Sequence, residues 1–326
     1  MNLRLSLYAL AAEHQLDADG SERLQRLAGL QQPPSQLARW LPRGVAVLAA
    51  GLVGMGVIVW IAANWDTLGR TGRFALLQTL VGAMCVGAFA RPALRVPLGL
   101  LAFLATGGLF AYFGQTYQTG ADPWQLFALW AALTLPLCWS VRSDARWAPW
   151  ALVVMTAISL WVHAHTAHRW RVQPEDLQAH LIGWAAALVT VGVLSQPVWQ
   201  RLGSGVWAHR TALTLAVIMI TSTALGGLFH KDVAPHYVLA LGLFALSAAL
   251  MALPKIFDVF GLCAVALGLN TLLIVGLGRW LFVNQQHSDF IGPLLLLGLV
   301  AAGLLAATVS GVLWLTRRQA AAGGTQ

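Results

Sequence analysis

Residues 44–64 read GVAVLAAGLVGMGVIVWIAAN, twenty-one positions without one Asp, Glu, Lys, Arg or His. As a helix rising ~1.5 Å per residue, such a run matches the ~30 Å hydrocarbon core of a bilayer. Arg39, Trp40 and Arg43 precede it and Trp65 and Asp66 follow it, residue types that favour the headgroup boundary. Nine more runs of similar character follow, at about 73–90, 96–114, 124–141, 147–163, 179–195, 211–229, 235–253, 257–282 and 290–315. Together they predict an all-α, polytopic integral membrane helix bundle of about ten transmembrane helices.

Composition agrees. Of 326 residues, 58% are hydrophobic and 10% charged, too few charges to clothe a soluble domain of this length. The net charge of +8 by itself suits nucleic acid, but the arginines sit singly or in pairs at the ends of apolar runs, which favours membrane topology over a basic patch. With the N-terminus inside, fourteen Lys and Arg fall on the cytoplasmic side: Arg4, Arg23, Arg26, Arg39, Arg43, Arg91, Arg95, Arg142, Arg146, Arg201, Arg210, Lys255, Arg317 and Arg318. Six fall outside, namely Arg70, Arg73, Arg169, Arg171, Lys231 and Arg279. The positive-inside bias then places both termini in the cytoplasm and the chain in an inner membrane, with the lipid bilayer as its first partner.

Ahead of the first span, Leu3, Leu7 and Leu10, and then Leu24, Leu27 and Leu30, recur at helical spacing around a turn at Asp17–Ser21. A helical hairpin is expected there, followed by a linker at Gln31–Ser35 carrying Pro33 and Pro34. Residues 1–43 thus form a cytoplasmic segment, 44–316 the transmembrane bundle and 317–326 a short tail. Cys85, Cys138 and Cys263 lie in separate apolar runs and read as small buried hydrophobes. No charge or His falls at the midpoint of any run; Gln78, Thr221–Thr223 and Asn270–Thr271 are the polar exceptions and suit hydrogen bonding between helices. Gly303, Ala307 and Gly311 place small residues every fourth position in the last run, a surface suited to close helix contact.

Polar residues concentrate where the first and third runs leave the membrane on the outer side. The first exit, AANWD, carries Asn64, Trp65 and Asp66; the third, FGQTYQTGADPW, carries Gln115, Tyr117, Gln118 and Asp122, with Gly114 and Gly120 permitting turns. These residues are expected to share one outward polar surface. Two carboxylates on one face can hold a cation or act as acid and base; they equally serve as helix caps and loop acceptors. His163, His165 and His168 form HAHTAH at the outer end of the fifth run, a weak candidate for a divalent metal, and His180, His230, His236 and His287 also fall outside. No phosphate-binding loop, zinc-protease motif or nucleophile elbow occurs, and no cofactor is expected.

The AANWD exit and the later GQxYxxGxD stretch, followed by FALWAALTLP within Leu126–Pro136, resemble the bacterial membrane family named domain of unknown function 2157, over about residues 5–140. The resemblance implies a membrane-helix fold, no assigned biochemical activity, and membrane-protein partners in a complex. The reading that follows is a non-enzymatic component or scaffold of a membrane assembly. The alternatives are a transporter or channel for a small or lipid-like solute, and a membrane-embedded enzyme using Asp66, Asp122 or the histidines.

Overall fold

Asp17 decides how the chain begins: its carboxylate accepts the backbone N–H of Gly20 at 2.8 Å and so caps a helix, as its short polar side chain predicts. The computed structural model describes residues 3–29, 35–64, 67, 69–117, 120, 122–140, 143–166, 171–196, 198, 203–230, 232–254, 256–283 and 290–323. Among these, every regular element is helical. The expected hairpin is α1 (Leu3–Glu13) and α2 (Ala18–Leu27), with Gln15 in the left-handed region at the turn and an exposed Glu22–Arg26 pair at 2.9 Å on α2. The linker residues 31–34 lie outside the described residues.

Ten longer helices follow, one for each predicted run: α3 (Ser35–Ala63), α4 (Arg70–Ala90), α5 (Arg95–Tyr117), α6 (Pro123–Ser140), α7 (Asp144–His165), α8 (Leu177–Val193), α9 (Val206–Leu228), α10 (Pro235–Met251), α11 (Val259–Val283) and α12 (Ile291–Gly323). Eight are long and apolar enough to cross a membrane; α6 and the 17-residue α10 fall short of that measure. Two compact units divide the chain, residues 1–63 and 64–326. In the first, α3 starts nine residues before its apolar run and carries Pro42 internally, at the cost of one intrahelical hydrogen bond.

In the second unit, neighbouring helices run antiparallel and pack through glycine, alanine and tryptophan. Gly107 of α5 leaves a bare patch against which the Trp130 indole of α6 lies, and Trp130 Nε1 donates to the Phe103 carbonyl at 3.0 Å. Trp150 Nε1 of α7 likewise donates to the Ala131 carbonyl at 2.9 Å, and Trp184 Nε1 of α8 to Thr223 Oγ1 of α9 at 3.0 Å. An indole N–H so used satisfies itself without water while its ring fills a groove. Alanines 151, 187, 208, 212 and 216 bring α7, α8 and α9 together around Trp147, Met155 and Leu213. A second cluster, centred on Ile220, Phe244 and Leu272, joins α9, α10 and α11. Asn270 Nδ2 of α11 donates to Thr308 Oγ1 of α12 at 2.9 Å.

The structure corrects several sequence expectations. Gly114 is inside α5, where a methyl group would meet Leu126, so it permits packing and not a turn; Gly120 takes the left-handed conformation, φ +68°. Helix α5 continues through Gln115 to Tyr117, because nothing in GQTY breaks a helix. Asp144 and Arg146 belong to the first turn of α7, not to a loop. Cys138 is buried and Cys85 half-buried, but Cys263 is exposed. Of the central polar residues only Asn270 and Thr223 bond between helices; Ser222 and Thr271 bond back to Ile218 and Leu267 on their own turns, and Gln78 is exposed. Among the described residues, Gly303 and Gly311 have no atom within 4 Å of a would-be side chain, so the small-residue lane of α12 is unpacked there.

Candidate functional site

The end of α5 is held by Arg70, which sequence reading placed in the outer set of charges. At the start of α4, its Nη2 donates to the Thr116 carbonyl at the end of α5 at 2.9 Å, and its guanidinium lies 4.8 Å from the centre of the Tyr117 ring. Tyr112 OH donates back to the Arg70 carbonyl at 3.2 Å, and Phe74 packs against Tyr112, Phe113 and Tyr117. A cation at a helix C-terminus satisfies an orphan carbonyl and meets the negative end of the dipole. Gln115, Tyr117 and Asp122 are exposed, and Asp122 directly precedes Pro123 at the start of α6. Asn64 is half-buried, and its carbonyl accepts from Thr67 Oγ1 at 2.9 Å. Trp65, Asp66 and Gln118 lie outside the described residues.

The histidines separate. His165 stacks on Trp161 and donates through Nδ1 to the Trp161 carbonyl, 2.8 Å away, on the exposed side of α7. His163, two residues earlier and so on the other face, borders a cavity. His168 lies outside the described residues. Among the described residues, no group of three His, Cys, Asp or Glu side chains is placed to hold a metal ion.

That cavity lies within the second unit. Helices α7 and α9, closely packed through alanines toward their N-termini, leave a gap nearer their C-termini that α8 lines on a third side. It measures about 450 Å³, within the range of small-molecule sites. Thr156, Ser159 and His163 on α7, His180 on α8, and Ser222 and Thr223 on α9 supply its polar groups; Met155, Leu160, Val162, Leu215, Ile218 and Met219 supply apolar wall. Ser159, Ile218 and Ser222 are exposed, so the gap opens sideways between α7 and α9.

Behind the cavity, His180 is 4% exposed and His236 of α10 is fully buried. His180 Nδ1 lies 3.0 Å from the Asp176 carbonyl and 3.3 Å from His236 Nε2, the two rings edge to face. A carbonyl only accepts, so Nδ1 carries the hydrogen and Nε2 of the neutral ring is a bare lone pair. His230 Nε2 sits 2.7 Å from the Val172 carbonyl, and the His230 carbonyl accepts from Arg279, which ties the ends of α9 and α11 to the segment before α8. A signal for this site was present in the sequence: Thr156, Ser159 and His163 recur three and four residues apart, a polar stripe on one face of an apolar helix.

Apolar helices of spanning length, arranged around buried neutral polar groups, define a membrane protein of the helical class. Over residues 8–147 the chain matches the family model described as "Predicted membrane protein (DUF2157)". No curated protein and no solved structure matches it. All of the cavity residues, from Met155 onward, lie beyond the matched segment.

Proposed function

We propose that this chain is a multi-pass inner-membrane protein that binds a small lipid-like molecule in the gap between α7, α8 and α9, as the binding step of a carrier or transporter. The supporting observation is the cavity itself: about 450 Å³, bordered by four hydroxyl residues and two histidines, and open sideways at a depth where α7 and α9 are otherwise apolar. A molecule entering from the bilayer would reach it without crossing water. In this reading α3 to α12 all span, and the shorter α6 and α10 are carried by their neighbours. Both termini are cytoplasmic: Arg91, Arg95, Arg210, Arg317 and Arg318 gather at the opposite helix ends from the cavity, against Arg70, Arg171 and Arg279 at the cavity's own ends.

The test is native mass spectrometry of protein extracted gently from membranes. A lipid-sized adduct is expected, and Ser222→Trp, which fills the gap, should remove it; an adduct-free protein, or an adduct indifferent to Ser222→Trp, would refute the proposal.

A second reading is a component of a membrane assembly. Exposed Gln115, Tyr117 and Asp122, joined in this proposal by Asn64, Trp65, Asp66 and Gln118, offer a polar docking end, and the unpacked Gly303–Ala307–Gly311 lane offers close helix contact within the bilayer. Co-purification in mild detergent should then recover a membrane-protein partner, and Gln115→Ala or Gly303→Leu should lose it.

A further inference from the structure

The hydrogen-bond inventory of the cavity restricts what its occupant carries. A hydroxyl owns one hydrogen and two lone pairs. Thr156 Oγ1 gives its hydrogen to the Leu152 carbonyl at 2.8 Å, and Ser222 Oγ gives its own to the Ile218 carbonyl at 2.7 Å. Thr223 Oγ1 donates to the Met219 and Ile220 carbonyls and already accepts from Trp184. These hydroxyls therefore face the gap with lone pairs and no hydrogen to offer.

His180 adds another acceptor. The Asp176 carbonyl holds the hydrogen on Nδ1, and the opposite nitrogen, Nε2, makes no hydrogen bond among the described residues. The cavity is the open space that this otherwise buried ring borders. Ser159 differs from the others: its hydrogen rests on the Met219 thioether, 3.6 Å away, a weak acceptor that an oxygen readily replaces. Among the described residues, no Asp, Glu, Lys or Arg lines the gap.

Resting on the lipid-binding reading, we infer that the occupant is an uncharged amphiphile with a hydroxyl head, which donates to His180 Nε2 or a hydroxyl lone pair and accepts from Ser159. A quinone carbonyl, ether or ester can accept from Ser159 but brings no donor to His180 Nε2 or to the hydroxyl lone pairs. A phosphate or carboxylate brings charge to a lining with no cation among the described residues, where desolvation is not repaid. An ammonium brings donors but leaves its charge unpaired. An alcohol is both donor and acceptor, and its apolar chain leaves by the side opening at Ile218.

The experiment uses the full chain in lipid nanodiscs with three probes sharing one tail: farnesol, farnesyl methyl ether and farnesyl phosphate, read by competitive displacement of a fluorescent farnesyl alcohol. Farnesol is expected to bind about tenfold more tightly than the ether, as when a buried acceptor loses its donor, and the phosphate should bind more weakly still. His180→Phe keeps a ring and removes the lone pair, so the preference for alcohol over ether should fall toward unity; if that variant fails to fold, the probe series on the unaltered chain still decides. Equal binding of alcohol and ether, both blocked by Ser222→Trp, would overturn the hydroxyl inference and leave the lipid-binding reading standing. Binding of all three probes unaffected by Ser222→Trp would overturn both.

Discussion

A guanidinium sealed from solvent normally faces a carboxylate or phosphate. Arg146, in the first turn of α7, is 1% exposed, yet it gives one hydrogen bond, from Nη1 to the Leu137 carbonyl, and its Nε and Nη2 meet no acceptor. Gly99 of α5 makes the room it occupies, since a methyl group there would lie 2.7 Å from Nη1. One carbonyl does not offset several kcal/mol of charge desolvation. Arg146→Met, which keeps the length and removes the charge, is therefore expected to hold or raise the thermal unfolding midpoint in detergent; a clear fall would show that Arg146 contributes stability the structure does not reveal. Asp144, two residues earlier, is the opposite case. Its carboxylate accepts from the backbone N–H groups of Gly205, Trp207 and Ala208 at 3.1, 2.7 and 2.9 Å, capping α9 from a neighbouring helix. Asp144→Ala should cost about 2 kcal/mol, read as a lowered midpoint, and Asp144→Asn less. Both residues read from sequence as loop charges, because a charge flanking an apolar run looks the same whether it caps a helix, lies buried or meets water.

At the scale of elements, packing depends on where one helix is bare enough to admit another's large ring. A methyl group on Gly107 would collide with the Trp130 indole, so Gly107→Ala should separate α5 from α6 and cost about 2 kcal/mol, measured by thermal unfolding; an unchanged midpoint would mean the ring has somewhere else to go. Asn270→Leu removes the side-chain hydrogen bonding between Asn270 of α11 and Thr308 of α12, worth about 1 kcal/mol in a membrane. The existence and order of the ten long helices were legible in the sequence, since runs of apolar residues near spanning length leave few alternatives. Their ends were less so: α5 runs on through Gln115 and Tyr117, and α3 begins well before its apolar run, because polar residues at a helix terminus need not break it. The cavity was not foreseen. Ser, Thr and His scattered along apolar helices reveal a shared surface only when the helices are set side by side, and Ser159, His180 and Ser222 come from three of them.

For the whole molecule, orientation follows from the distribution of Lys and Arg. Reporter fusions after Arg43 and after Arg318 should both register as cytoplasmic; an outward signal from either would invert the placement of the cavity relative to the membrane. The uneven spread of ionisable groups also bears on mechanism. The midpoints of the long helices carry none, and the buried histidines sit in the first turns of α8 and α10, which suits a molecule taken from one leaflet better than an ion driven through the centre. The polar end built on Arg70, Gln115 and Tyr117 is a separate feature, and its substitution should leave lipid occupancy unchanged. The most direct measurement of the central claim is an electron cryo-microscopy map of the full chain in native-lipid nanodiscs. Elongated density is predicted between α7 and α9, entering past Ile218 and ending among His180, Ser159 and Ser222. A gap closed by helix packing, or one filled only by discrete waters, would contradict it.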